Sequence, residues 1–179
     1  MIRAFAAIAL PAEQREKLAL AAQLLPLPRR VSAANLHLTL SFFGDLPEPV
    51  LAEVHYAFEA IRAPGFRLTL RGLGHFGGER PRAAYAGLQP EPALDRLQAK
   101  VDQAARRAGA APEARRFVPH VTLGRFRPGE VDLPLLERAL IEGAGLSLPA
   151  FAVGHFALYR SHLGRGEPWY EELARYALG

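Results

Sequence analysis

The hydrophobic pattern of the chain alternates between two periods along its whole length. Apolar residues at every second position predict strands at residues 2–10, 36–43, 66–76, 82–88, 116–126, 146–159 and 169–178. Apolar spacing near 3.6 predicts helices at residues 12–25, 49–62, 92–109 and 134–142. A turn is expected at Gly44-Asp45. These alternating elements predict the α+β fold class.

The sequence also repeats itself. Phe5-Ala6 recurs as Tyr85-Ala86, His-Leu-Thr-Leu at 37–40 recurs as His-Val-Thr-Leu at 120–123, and Gly-His-Phe at 74–76 recurs at 154–156. We predict a single domain spanning 1–179 with copies of about 1–80 and 81–160, plus a closing strand at 168–178. A pseudo-two-fold relation between the copies predicts two lobes of mainly antiparallel sheet, with helices outside and an active-site cleft between them.

Composition narrows the class of protein. The 179 residues are 50% hydrophobic and 22% charged with mean hydropathy +0.01, which excludes disordered and fibrous proteins. No apolar stretch is suited to a membrane span, so we expect no membrane association. Cysteine is absent, which excludes disulfides, thiolate metal sites and cysteine nucleophiles, and favours a cytoplasmic location.

The charge balance points weakly towards an anionic partner. Lys and Arg number 22 against 18 Asp and Glu, and the isoelectric point is near 9.8. Nearly all the basic residues are arginines, whose planar guanidinium binds phosphate with paired donors. The composition of a thermophile or of a GC-rich genome explains the same excess, and charge alone leaves both readings open.

The two His-x-Thr strands carry the candidate chemistry. Residues i and i+2 of a strand share a face, so His37 lies beside Thr39, and His120 beside Thr122, while their apolar neighbours face the core. Two imidazoles across a cleft can act as acid and base in one displacement at phosphorus. The hydroxyls can donate to the non-bridging oxygens. This pattern favours hydrolysis of a phosphodiester without a metal or another cofactor.

Other chemistries fit the residues less well. A zinc site takes three or four close protein ligands, whereas each of these strands supplies one histidine and a neutral threonine. No serine lies in a nucleophile-elbow sequence, which disfavours Ser-His-Asp catalysis. His75 and His155 lack the paired threonine and are expected to be structural.

Taken together, these segments resemble the two-histidine (2H) phosphoesterase superfamily, specifically the RNA 2′,3′-cyclic phosphodiesterase family, also called 2′-5′ RNA ligase. The resemblance covers the whole chain. It rests on four segments in the expected order, RAFAAIALP, NLHLTLSFFGD, the Gly-His-Phe strand and FVPHVTLGRF. It implies a LigT-like fold and hydrolysis of a terminal 2′,3′-cyclic phosphate on RNA to a 2′-phosphomonoester.

The resemblance also implies roles for individual residues. His37 would donate a proton to the departing 3′ oxygen, His120 would accept one from water, and Thr39 and Thr122 would hold the phosphate. Arg125 follows the second motif where the family often has a basic residue. Its odd offset from His120 turns it to the other face of a regular strand, so a phosphate contact requires a bulge.

Several alternatives stay open from the sequence. The same acid and base would serve a 2′-5′ RNA ligase or a phosphodiesterase of small cyclic nucleotides, and an RNA-end-binding module without turnover is also compatible. The expected partners are RNA ends or small nucleotide cyclic phosphates, and we expect a monomer. Phe5, Phe42 and Tyr85 could stack on a base, although core packing is favoured.

Overall fold

Alternating apolar residues place nine segments of the chain in strands. The computed structural model describes residues 1–179. The strands are β1 Ile2–Ala9, β2 His37–Leu46, β3 Phe66–Leu68, β4 Leu70–Phe76, β5 Ala83–Leu88, β6 His120–Arg125, β7 Phe151–Val153, β8 His155–His162 and β9 Trp169–Ala177. The closing strand predicted near the C-terminus is therefore present as β9.

All four predicted helices form, with bounds close to those expected. They are α1 Ala12–Gln23, α2 Glu48–Glu59, α3 Pro92–Arg107 and α4 Leu133–Glu142. The carboxylate of Asp132 accepts a hydrogen bond from the Leu135 amide at 2.8 Å and so fixes the start of α4. None of the helices combines the length and the apolar character that crossing a lipid bilayer requires.

Seven strands form one sheet in the order β4-β5-β6-β2-β1-β8-β9, and all neighbouring pairs are antiparallel. Two half-sheets, β4-β5-β6 and β2-β1-β8-β9, meet only where β6 pairs with β2. Each half-sheet contains strands from both sequence copies, because β4 of the first copy pairs with β5 and β8 of the second pairs with β1. This exchange of strands is not apparent from the repeat alone.

The helices cover the core face of the sheet. α3 contacts β2, and α1 contacts β6, so each motif strand is supported by a helix from the other copy. Leu38 and Val121, the central residues of the two His-x-Thr motifs, are fully buried in this core. Their polar neighbours consequently face the opposite side. The arrangement confirms the predicted α+β class, with mainly antiparallel sheet and outer helices.

Two long predicted strands are wrong in detail, because each is divided. The segment 66–76 separates at Thr69 into β3 and β4, and the segment 146–159 contains β7 and β8, separated by Gly154. β3 and β7 leave the main sheet and pair with each other. The alternation of apolar and polar residues continues across such a break, because it depends on which side chains are buried and not on which strands pair.

The starts and ends of the motif strands also differ from the prediction. The segment predicted at 116–126 becomes a strand only at His120, since Pro119 has no amide hydrogen for a ladder. β2 continues to Leu46 and includes the expected turn at Gly44-Asp45. Gly44 has φ of +68°, a conformation that glycine adopts without strain, and this lets the strand bend and continue.

Candidate active site

The two His-x-Thr motifs meet at the junction of the half-sheets. β2 and β6 are antiparallel and Leu38 pairs with Val121. This register puts His37 opposite Thr122 and Thr39 opposite His120 on the face away from the core. The four side chains thus form a quadrilateral with the imidazoles at one pair of diagonal corners. Diagonal neighbours in such a ladder lie about 7–8 Å apart, so both histidines border the same space.

The two imidazoles are oriented in the same way. Nδ1 of His37 lies 2.6 Å from the carbonyl oxygen of Asn35, and Nδ1 of His120 lies 2.7 Å from that of Val118. A carbonyl only accepts, so Nδ1 of each neutral ring carries the hydrogen and Nε2 has the lone pair. Each histidine is the first residue of its strand, which leaves the carbonyl two residues earlier free to accept.

Both histidines favour the neutral form in the free protein. Burial lowers the pKa of His37 to about 4, and the charge of Arg125 acts in the same direction. Burial also lowers the pKa of His120, and Arg125 again contributes. Both Nε2 atoms are therefore available as proton acceptors near neutral pH. Binding of an anion beside them favours protonation of one ring.

Aromatic rings flank each imidazole. The Phe5 ring is stacked on His37 with centroids 5.0 Å apart, and Tyr170 meets His37 edge-on at 5.1 Å. Phe76 meets His120 edge-on at 4.7 Å, and Tyr85 lies 5.6 Å from His120. Phe5 and Tyr85 therefore pack against the site histidines. Sequence reasoning noted Phe76 only as part of the repeated Gly-His-Phe segment and did not single out Tyr170; the positions of both rings depend on β4 and β9.

Both motif strands contain a β-bulge immediately after the threonine. In β6, Thr122 pairs with Tyr85 and Gly124 pairs with Ala84, so Leu123 is the extra residue. In β2, Thr39 pairs with Ala7 and Ser41 with Ala6, so Leu40 is the extra residue. A bulge shifts the alternation of side chains by one position. Residues at odd offsets beyond it consequently turn to the face of the histidines.

Arg125 is the residue whose position depends most on this bulge. It lines the same cavity as Thr39, His120 and Thr122. Phe42 occupies the corresponding place after the bulge in β2 and also lines the cavity. The guanidinium of Arg3 lies 4.7 Å from the centre of the Phe42 ring. A contact between Arg125 and phosphate was expected to require a bulge, and β6 contains that bulge.

The cavity beside His120 has a volume of about 530 Å³ and is basic. Arg82, Arg115 and Arg116 line it together with Arg125, and the carboxylate of Glu113 pairs with Arg115 at 2.9 Å. The other three arginines form no salt bridge within the chain. Sequence reasoning missed Arg82, which immediately precedes β5, and also Arg115 and Arg116, which lie in the segment before β6; none of the three belongs to a motif.

Other basic residues near the motifs serve the fold. Arg30 donates to the carbonyl oxygens of Ala22 and Leu25 at the end of α1, both at 2.9 Å. Arg29 pairs with Glu130. These contacts stabilise the loop that precedes β2 and hold both guanidinium groups outside the cavity. His75 and His155 line neither this cavity nor the smaller one beside His37.

The groups around the histidines have a defined chemical character. The site combines two imidazoles that accept protons at Nε2, two hydroxyls and the cationic Arg125. A guanidinium repels cations and attracts anions, so the charge of the site suits a phosphate. Groups of three or more His, Cys, Asp or Glu with the spacing of a metal site do not occur in the structure.

Comparisons with known proteins agree with this geometry. The family model described as the 2′-5′ RNA ligase superfamily matches residues 10–165. A protein of Aeropyrum pernix named RNA 2′,3′-cyclic phosphodiesterase is 36% identical over 147 residues, which cover 81% of this chain and 83% of that protein. The Escherichia coli protein of the same name is 36% identical over 180 residues, with 98% and 96% covered.

The fold comparison reaches nearly every residue. The crystal structure of Escherichia coli LigT complexed with 3′-AMP covers 99% of this chain and 98% of its own, with a TM-score of 0.82 and 34% sequence identity. The match of sequence and fold includes both motif strands and the junction between them. The chain therefore belongs to the 2′-5′ RNA ligase superfamily, the two-histidine phosphoesterases.

Proposed function

We propose that this chain is an RNA 2′,3′-cyclic phosphodiesterase that opens the terminal cyclic phosphate of RNA to a 2′-phosphomonoester. The observation that carries the proposal is the pair of Nε2 lone pairs on one face of the β2–β6 junction, with two threonine hydroxyls at the remaining corners. The relatives that cover most of the chain bear the name of this activity. Structures of LigT with 3′-AMP, with ATP and with phosphate support a nucleotide or RNA end as the partner.

The reaction is one in-line displacement at phosphorus. His120 accepts a proton from water at Nε2 as the water oxygen bonds to phosphorus. The bond between phosphorus and O3′ breaks, and O3′ takes the proton from Nε2 of the protonated His37. The phosphate stays on O2′. Exchange of protons with solvent then returns both rings to their starting forms, and no other group has to donate or accept.

The remaining residues stabilise the transition state. Thr39 and Thr122 donate hydrogen bonds to the non-bridging oxygens, where negative charge is concentrated. Arg125 offsets the same charge from the His120 side. The hydroxyls and the guanidinium supply this stabilisation without a metal ion, which makes metal independence part of the proposal. Cytoplasmic location and the monomeric state stay predictions from the sequence.

Ligation is the second candidate activity. The wide basic cavity beside His120 favours it, because a strand with a 5′-hydroxyl could take the place of water there. The same displacement run with that hydroxyl would form a 2′-5′ linkage. Mixing the cyclic-phosphate oligonucleotide with a second oligonucleotide that has a free 5′-hydroxyl separates the two activities by product length.

The direct test of hydrolysis uses an oligonucleotide ending in a 2′,3′-cyclic phosphate in excess EDTA. We expect turnover to a product with a 2′-phosphate, identified by its resistance to an enzyme that acts only on 3′-phosphates. Loss of activity in EDTA would contradict metal independence. Binding without turnover would overturn the enzymatic proposal in favour of an RNA-end-binding module.

A further inference from the structure

The carbonyl groups that orient the two imidazoles are held in different ways. Nδ1 of His37 donates to the Asn35 carbonyl oxygen at 2.6 Å. Nδ1 of His120 donates to the Val118 carbonyl oxygen at 2.7 Å. At the repeat offset of 83 residues, Asn35 corresponds to Val118, whose side chain has no polar atom. The acceptor residue can therefore be anchored by a side-chain hydrogen bond on the His37 side alone.

Two hydrogen bonds tie the short turn Ala33–Asn35 to the loop of the β8–β9 hairpin. The side-chain amide of Asn35 donates to the Pro168 carbonyl oxygen at 2.6 Å. The backbone amide of Ser32, just before the turn, donates to the Glu167 carboxylate at 2.8 Å. We call these two contacts the clasp. They join residues 133 and 135 positions apart in the sequence, so the hairpin loop fixes the turn that carries the Asn35 carbonyl.

The end of the hairpin that supplies the clasp is held together by its own side chains. His162 and Trp169 are cross-strand partners, and their rings are stacked with centroids 3.8 Å apart. Nε2 of His162 lies 2.7 Å from the Glu171 carboxylate. Although burial works against ionisation, hydrogen bonding by Ser32 leaves the pKa of Glu167 below its ordinary value. Glu167 is therefore a charged acceptor at neutral pH, and hydrogen bonds to charged acceptors are the stronger ones.

The same segment reaches His37 by a second route. Tyr170, two residues after Pro168, meets the His37 ring edge-on with centroids 5.1 Å apart. Tyr170 also lines the smaller cavity beside His37, together with Phe5 and Tyr159. Release of the clasp would free the carbonyl that orients the imidazole and also loosen a ring that packs on it. β9 lies outside both sequence copies, so this support belongs to one histidine of the pair.

We propose that Asn35 and Glu167 are positioning residues, which hold the proton donor His37 in its reactive orientation by fixing the Asn35 carbonyl. This inference rests on the proposed function, in which His37 protonates O3′. With the clasp closed, the carbonyl keeps a hydrogen on Nδ1 and leaves Nε2 directed at the departing oxygen. With the clasp open, the ring can rotate or change tautomer, and proton transfer to O3′ loses its geometry. The hairpin loop thus supports the acid of the reaction and not its base, His120.

Nitrogen NMR of the histidine rings tests the positioning role without any substrate. The chemical shifts at neutral pH report which ring nitrogen carries the hydrogen. We expect His37 to carry it on Nδ1 in the wild type and to become a mixture of tautomers in Asn35→Ala and in Glu167→Ala, with His120 unchanged. Glu167 is exposed, so its replacement leaves the folded core intact. An unchanged His37 tautomer in both variants would overturn the proposal, whether or not the protein is an active enzyme.

Kinetics separate positioning from binding. Asn35→Ala and Glu167→Ala should each lower kcat by about tenfold to a hundredfold, the effect of a slightly misplaced reacting group, while KM stays close to that of the wild type. Glu167→Gln keeps an oxygen that can accept from the Ser32 amide and should recover most of the lost kcat. Arg165→Gln in the same exposed loop is the matched control and should alter neither kcat nor the His37 tautomer.

Two results would separate the positioning role from its alternatives. A rise in KM with unchanged kcat in Asn35→Ala and Glu167→Ala would assign both residues to RNA binding and overturn the proposal. If the wild type shows no turnover of a cyclic phosphate while the variants shift the His37 tautomer, the clasp still orients His37 and only the proposed function fails.

Discussion

At the residue scale, the proposed chemistry depends on which ring nitrogen carries the proton. The carbonyls of Asn35 and Val118 hold Nδ1–H of the two imidazoles and leave Nε2 towards the cleft. Flanking aromatic rings restrict rotation of both imidazoles. The residue that gains a proton is therefore set by the bound phosphate and its surroundings, and not by a difference between the motifs.

Removing either imidazole should abolish efficient turnover. We expect His37→Ala and His120→Ala each to lower kcat by about 10²–10⁴, the usual contribution of a positioned acid or base, with little loss of RNA affinity. His155→Ala is the matched control, since His155 is the repeat equivalent of His75 and lies outside both cavities. Single-turnover kinetics and a binding titration make the comparison. A variant with wild-type kcat would remove that histidine from the mechanism.

The pH dependence follows from the lowered pKa of both histidines. The active free enzyme has His37 protonated and His120 neutral, so kcat/KM should describe a bell centred below pH 6.5, because burial lowers the pKa of both rings and lowers that of His37 to about 4. Above pH 6.5, kcat/KM should fall by about tenfold per pH unit, because the fraction of the enzyme with a protonated proton donor falls by the same factor.

The bell for kcat should lie at higher pH than the bell for kcat/KM. A bound phosphodiester is an anion and raises the pKa of the adjacent imidazoles. Initial rates from pH 4 to pH 8.5 at constant ionic strength measure both profiles. A kcat/KM that rises between pH 6 and pH 8 would contradict the assigned protonation states.

At the element scale, the bulges after Thr39 and Thr122 shape the site. Regular strands would turn Arg125 and Phe42 to the core face, where a guanidinium could not remain charged without a partner. The bulge in β6 lies beside the segment that precedes β2, where Arg30 bridges to Gly124. Gly124 permits this approach, since a Cβ there would lie 2.6 Å from the Arg29 carbonyl oxygen.

Substitution of Gly124 should therefore damage both stability and activity. Gly124→Ala forces β6 away from the backbone of Arg29, and we expect a loss of about 1–3 kcal/mol in the free energy of unfolding. Displacement of the neighbouring Arg125 should also lower kcat/KM. Denaturant unfolding and kinetics measure the two effects. Gly154→Ala is the control, because a Cβ at Gly154 meets no atom within 4 Å. Equal changes in the free energy of unfolding and in kcat/KM for the two variants would show that Gly124 is not required for the close approach of the two segments.

The sequence predicted the local features of these elements and missed the non-local ones. Thr39 and Thr122 could be paired with their histidines because side chains alternate within a single strand. The bulges, the separation of β3 from β4 and the exchange of β4 and β8 depend on pairing between distant segments. The same applies to Arg15 and Tyr170, which become part of a cavity only when α1 and β9 meet beside His37.

At the scale of the whole molecule, a symmetric reacting centre is combined with asymmetric surroundings. The paired motifs meet where β2 pairs with β6. One flank has an aromatic cavity, and the other has a wide cavity with three arginines that lack carboxylate partners. More positive charge is present than one phosphate requires, which favours an RNA chain over a single nucleotide.

Salt should weaken the binding of RNA through this basic cavity. We expect KM for a cyclic-phosphate oligonucleotide to rise with KCl concentration, and Arg82→Gln with Arg116→Gln to lower the slope of log KM against log salt by about 0.7 per lost phosphate contact. Arg138→Gln changes the net charge equally at a distance and should leave the slope unaltered. If that control and the cavity variants lowered the slope equally, the effect would come from net charge and not from the cavity.

A crystal structure with a bound nucleoside 2′-phosphate, the product of the proposed reaction, tests the central geometry most directly. Our account places one phosphorus atom between Nε2 of His37 and Nε2 of His120, each within hydrogen-bond reach of a phosphate oxygen on its own side, with the hydroxyls of Thr39 and Thr122 donating to that phosphate. A phosphate bound to only one imidazole, or bound outside the β2–β6 junction, would contradict it.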